Sequence, residues 1–183
     1  VLTEGYHPKT RVFYFPGSLQ IPEVPASPSG EEIRRARDLI LEDVLVDFPF
    51  VSPSDRANAL ALFELPFVRE LIDGSTPIHL IEKPAPGTGA GLMADVIALS
   101  TRGGNCPLMT EGRDEDEWRK RITAALLNAP EVLMIDNLKG RLESASLSAA
   151  VTANVWSDRK LGQSLVVSLQ VRCAWIVTGN NPA

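Results

Sequence analysis

From Ser29 onward the apolar positions of this chain fall at helical spacing. Ile33, Ala36, Ile40 and Val44 recur three or four residues apart behind an N-capping Ser29 and the first-turn acids Glu31 and Glu32, which predicts a helix over 30–47. The segment Asp47 to Phe50 breaks it. Ser52 and Pro53 then supply an N-cap and an N1 proline for a second helix carrying Ala57, Leu60, Ala61 and Phe63 to Leu65, expected to end or kink at Pro66. A shorter helical turn over 68–72 closes at Gly74. The period then changes to that of a sheet protein. A β-branched and apolar run over 76–81 precedes a proline- and glycine-rich loop, Lys83 to Gly89, and a helix marked by Leu92, Met93, Val96, Ile97 and Leu99.

The same alternation continues. A short strand over 107–109 leads to the acids Asp114 to Glu117, which suit the N-terminal dipole of a helix running to about Asn128. The run Glu131 to Asp136 reads as a fully buried strand ending in a carboxylate, followed by a helix with Leu142, Leu147, Ala150 and Val151. A hairpin over 157–170, turning at Gly162, and a last strand over 172–178 complete the pattern. Residues 1–30 differ, because Pro8, Pro16, Pro22, Pro25 and Pro28 forbid a long helix and leave extended segments and turns, with 11–15 as an edge strand. The expected organisation is a proline-rich extended segment over 1–30, a helical extension over 31–75 and an α/β core over 76–183. That core is a parallel sheet flanked by helices.

The chain has 183 residues, 44% of them apolar, and a net charge of −5, enough for a sizeable core without disulfides. Cys106 and Cys173 lack any CxxC partner and read as reduced thiols, which points to the cytoplasm. His7 and His79 have no companion at zinc-ligand spacing, and no apolar run approaches the ~20 residues of a membrane span. The acidic balance gives no overall nucleic-acid footprint. The chain starts at Val1 and stops just behind the strand over 172–178, so it is expected to be a piece of something larger, with that strand continuing.

In a parallel sheet, ligands bind outside the carboxyl ends of the strands. Three polar loops fall there: the glycine loop after Ile81, the pair Asp136 and Asn137, and the run Thr178 to Asn181. A nucleoside triphosphate needs backbone N–H groups for its phosphates, a carboxylate to hold magnesium through water, and an amide to orient the attacking water. These loops offer each in turn.

Pro84 to Gly89, the apolar strand closing on Asp136, and Thr178-Gly-Asn-Asn181 resemble the Walker A, Walker B and sensor-1 elements of an AAA+ P-loop ATPase. The resemblance covers about 76–181. Asp47 to Phe50, Asp114 to Arg121 and Trp156 to Gly162 further resemble uncharacterised ATPase domains attached to phage and mobile-element primase–helicase proteins, over about 45–181. The resemblance implies a three-layer P-loop fold lacking its lid after sensor 1, with ATP and Mg2+ as cofactors. It implies phosphate contacts from Pro86, Gly87, Thr88, Gly89, Ala90, Gly91 and Leu92, and catalytic positions at Asp136, Asn137 and Asn180, with Asn181 as second choice for the sensor. A homo-oligomer of the complete protein and DNA held by the 157–170 hairpin are implied partners. Arg159 is then a phosphate-facing arginine, or equally one that meets DNA or solvent.

The departures carry as much information. The pattern GxxxxGK[ST] places lysine at 90 and a hydroxyl at 91, where this chain has Ala90 and Gly91, and its first glycine is replaced by Pro84. The phosphates lose their nearest cation and magnesium its direct ligand, so hydrolysis is expected to be weak or lost. Asn137 stands where many such proteins carry a glutamate, and an amide orients water without taking its proton. Lys83 is the candidate substitute cation. The alternative is a non-catalytic scaffold or interaction module that keeps the fold without nucleotide. A dinucleotide-binding oxidoreductase is disfavoured, since the loop lacks a third glycine at the required place.

Overall fold

The computed structural model describes residues 3–9, 12–18, 22, 25–85, 87–160, 162 and 164–180. The chain forms two compact units, 1–46 and 47–183. In the first, β1 (Gly5–His7) pairs antiparallel with β2 (Val12–Tyr14). Helix α1 (Gly30–Asp38) starts at a full capping box: the Glu32 N–H donates to Ser29 Oγ at 3.2 Å and the Ser29 N–H donates to Glu32 Oε2 at 2.7 Å. The helix predicted over 30–47 is α-helical only to Asp38. It then widens into a π-helical segment, Leu39–Val44, whose terminus is closed by the Leu45 N–H on the Ile40 carbonyl five residues back.

The second unit opens with α2 (Pro53–Val68), capped by Ser52 and Asp55 in the same reciprocal way. Pro66 does not end this helix. It lies within the last turn, where its missing N–H costs only one hydrogen bond, and the face holding Ala59, Leu62 and Leu65 is buried. A 3-10 turn, Arg69–Leu71, follows. Arg69 is 3% exposed and its guanidinium clamps the exit of this turn through the carbonyls of Ile72 and Gly74.

The core elements come next in the chain: β3 (Ile78–Lys83), α3 (Ala90–Arg102), β4 (Leu108–Thr110), α4 (Glu115–Leu126), β5 (Val132–Leu138), α5 (Ala145–Thr152), the hairpin β6 (Val155–Arg159) and β7 (Val166–Gln170), and β8 (Ala174–Asn180). The α5 helix starts three residues beyond Leu142, which packs on the core from the preceding loop, because Ser144 caps the helix through the Leu147 N–H. Strands β3, β8, β5 and β4 form a parallel sheet in that order. The protein is therefore α/β, with a four-stranded parallel sheet flanked by helices.

Alternation along the strands divides the core into two faces. Met109, Leu133, Ile135, Trp175 and Val177 join Trp118, Ile122 and Leu126 of α4 and Leu147 and Ala150 of α5 in one apolar cluster. Val132, Met134 and Ile176 point the other way, towards the side of α3, whose Met93, Ala94, Ile97 and Ala98 are buried. Gly112 lies against α4 so closely that an added Cβ would meet the Trp118 backbone nitrogen at 2.7 Å. The hairpin is fastened to α4 by a polar network. Trp156 Nε1–H donates to Thr123 Oγ1 at 2.9 Å, and Asp158 accepts from Arg119 at 2.5 Å and from Thr123 at 3.1 Å. Burial alone would push the Asp158 carboxyl up, but the hydrogen bonds from Arg119, the Arg159 N–H and Thr123 outweigh it and hold it below the usual aspartate value.

Cys106 and Cys173 are buried free thiols, and burial pushes them up to about 11 and about 12. Among the described residues no helix is long and apolar enough to cross a membrane.

Candidate functional site

The strand order sets the three polar loops at neighbouring strand ends. Ile81 of β3 is level with Thr178 of β8, and Lys83 with Asn180; Ile135 of β5 is level with Val177. With β8 between them, the axes of β3 and β5 lie roughly 10 Å apart. Between Ile135 and Leu138 the β5 ladder is irregular, and Asn137 there takes φ +59°, a left-handed conformation that asparagine tolerates better than most residues. Thr178 fixes this irregularity from the next strand. Its hydroxyl donates to Asp136 Oδ1 at 2.7 Å and accepts the Asn137 N–H at 3.0 Å, and the residue is fully buried. One carboxylate oxygen of Asp136 is thus oriented by β8, while the side chain remains only half-buried.

The glycine loop delivers unpaired donors to the same end of the sheet. Thr88 folds the loop on itself by donating to the Ala85 carbonyl at 3.0 Å. Gly87 and Gly89 have φ +83° and +96°, values that require glycine, and Gly89 occupies the N-cap of α3. With no side-chain cap there, the first-turn N–H groups of Ala90, Gly91 and Leu92 lack helical partners. Ala90 is buried, Gly91 half-buried and Leu92 exposed. Pro86 and Asn181 lie outside the described residues.

Two cavities flank these loops. The first, about 640 Å³, is lined by Lys83, Thr88, Gly89 and Ala90 on one side and by Phe48 and Phe50, with ring centroids 6.4 Å apart, on another. Its volume is in the range of small-molecule sites. His79 also lines it, and burial lowers its imidazole below the ordinary value, so it is neutral at pH 7. The second, about 520 Å³, is lined by Thr110, Glu111, Arg113, Asp136, Asn137 and Lys139. The two share no described residue. The structure therefore gathers Thr88, Gly89, Ala90 and Lys83 on one cavity and Asp136 and Asn137 on the other, while Gly87, Gly91 and Leu92 line neither. Asn180 stands in β8, on the strand between them. Its Oδ1 is buried and has no hydrogen-bond partner among the described residues. Arg159 is exposed on the separate two-stranded sheet and lines neither cavity.

Sequence reasoning placed Thr178 in a polar run at a strand end and Asp47 to Phe50 in a helix break, but it gave neither the bonds of Thr178 to Asp136 and Asn137 nor the cavity wall of Phe48 and Phe50. The Thr178 contacts join residues 41 and 42 positions apart, a separation that leaves no periodic signal. No protein-family model matches the chain, and no curated protein matches it.

The residues fit magnesium only in company. Among the described residues no cluster of three or more His, Cys, Asp or Glu side chains is placed to hold a metal ion. Asp136 with one oxygen oriented by Thr178 suits an ion that keeps most of its waters and takes its remaining ligands from phosphates.

Proposed function

We propose that this domain is an AAA+-like P-loop core that binds a nucleoside triphosphate of the ATP type across the ends of β3, β8 and β5, with hydrolysis weak or lost. The observation that carries the reading is the strand order: it brings the uncapped glycine loop, the unpartnered Asn180 oxygen and the Thr178-oriented Asp136 into one row. In this reading the amides of residues 87–92 receive the phosphates. The base enters the 640 Å³ cavity against Phe48 and Phe50. Bound Mg2+ would neutralise phosphate charge, and Asp136 would hold it through water. Asn180 would orient a water at the terminal phosphate, and Asn137, which lines the other cavity, would contribute no base.

The reading extends to a mobile-element replication protein, oligomeric when complete, with Arg159 and the hairpin meeting DNA; the exposed position of Arg159 is what supports that extension. Ala90 and Gly91 favour a second reading, a scaffold that keeps the fold without nucleotide. Calorimetric titration with ATP, with and without Mg2+, separates the two. Micromolar affinity that strengthens with Mg2+ supports nucleotide binding, and no heat at millimolar ATP supports the scaffold.

A further inference from the structure

We propose that Lys83 supplies the phosphate-binding cation that the glycine loop itself lacks, an inference that rests on the nucleotide-binding reading. Lys83 is the last residue of β3 and sits level with Asn180 of the neighbouring parallel strand. Level residues of parallel strands project to the same face, and residues two apart on one strand share that face. Ile81, Lys83, Thr178 and Asn180 therefore project together, on the side where Thr178 meets Asp136.

The charge environment singles this lysine out. It lines the 640 Å³ cavity together with Thr88, Gly89 and Ala90, the residues at the uncapped start of α3. Of the described residues lining that cavity, Lys83 is the one lysine or arginine, and burial lowers the His79 imidazole below its ordinary value. The two carboxylates on the lining are placed otherwise. Asp55 is engaged by the Ser52 N–H and hydroxyl at the start of α2, and Glu82 projects to the opposite face of β3. Lys83 itself has no ion pair or hydrogen bond with any described residue. Arg102, Arg113, Arg119, Lys120 and Arg121 each have a carboxylate within 4.0 Å, and Lys139, which like Lys83 lines a cavity without an ion pair to a described residue, lines the one that holds Asp136 and not the glycine loop. A half-buried ammonium without a counter-ion, beside unpaired amide donors, attracts an anion more strongly than one in bulk water. Lysine delivers that charge as a flexible point donor, so it can serve from a strand end as well as from the first helical turn. Ala90, small and buried on the same cavity wall, leaves the space open.

The test is calorimetric titration of ATP and of adenosine into the wild-type chain, Lys83→Ala, Lys83→Arg, and the relocation variant Lys83→Ala/Ala90→Lys, with thermal melts to confirm that each is folded. Wild-type binding of ATP, weakened on the order of tenfold to a hundredfold in Lys83→Ala and largely kept in Lys83→Arg, is the expected result. Adenosine affinity should not change between wild type and Lys83→Ala. The relocation variant should recover ATP affinity relative to Lys83→Ala. If wild type and Lys83→Ala bind ATP equally, Lys83 is not the cation and the nucleotide reading stands. If the wild-type chain binds no ATP, that reading fails and the role of Lys83 fails with it.

Discussion

Replacing Thr178 by valine removes one hydroxyl from a fully buried position while keeping the side chain's shape. Two groups lose their partner at once: the Asn137 N–H, held at 3.0 Å, and Asp136 Oδ1, held at 2.7 Å. A polar group left unpaired in the interior costs about 1–3 kcal/mol. Asp136 is half-buried and Asn137 exposed, so each group can take up some water in place of the hydroxyl; at about 1 kcal/mol apiece, the low end of that range, the loss is about 2 kcal/mol. At about 2–4 °C per kcal/mol for a chain of this size, the melting temperature should fall by roughly 4–8 °C. Thr178→Ser keeps both hydrogen bonds and deletes one buried methyl, worth about 1 kcal/mol, so it should melt between the two. The assay is thermal unfolding followed by circular dichroism, paired with ATP affinity measured with and without Mg2+. The gain in affinity from Mg2+ should survive in Thr178→Ser and shrink in Thr178→Val. Equal melting of the valine and serine variants, with equal response to Mg2+, would show that Thr178 orients neither Asp136 nor the irregular end of β5.

Restoring Ala90→Lys and Gly91→Thr together should raise ATP affinity by more than tenfold, since each adds a charge-assisted or direct ligand, and an added Cβ at Gly91 meets nothing within 4 Å; calorimetry reads the change. Gly112→Ala should destabilise the fold by about 1–3 kcal/mol, because its methyl would press on the Trp118 backbone nitrogen at 2.7 Å, and chemical denaturation measures it. Asp158 gives a pH signature. Its folded carboxyl titrates below the ordinary value of 3.8, so its contribution is fully present above that value and is lost as pH falls through the folded pKa. Asp158→Ala should therefore lower stability at pH 7, with the gap to wild type closing below about pH 4 in melts taken across the acid range.

Local signals made most of the elements legible. Ser29 and Ser52 cap the helices they were expected to cap, with Pro53 in the first turn of α2; the acids expected in the first turn of α4 stand there, with Asp114 as its N-cap, and Gly103 ends α3 with φ +69°. Val132 to Ile135 are all buried, as an uninterrupted apolar run implies for an inner parallel strand, and the hairpin turns where Gly162 stands. Tertiary contacts decided the rest. Pro66 is tolerated inside α2, and the widening of α1 at Leu39 breaks no periodic rule that a sequence displays. The site followed the same division. The glycine loop and the carboxylate at a strand end were visible as residue types, whereas the bulge at Asn137, the Thr178 bonds and the aromatic wall at Phe48 and Phe50 arise from pairing across the fold. That the loop and Asp136 line separate cavities likewise depends on β8 standing between their strands.

A crystal structure of the chain with a non-hydrolysable ATP analogue and Mn2+ bears most directly on whether these strand ends share one triphosphate. The expected map shows phosphate density against the amides of residues 87–91 and an anomalous manganese peak near Asp136, bridged to it by water. Phosphates bound elsewhere on the chain, or a manganese peak remote from Asp136, would contradict the account.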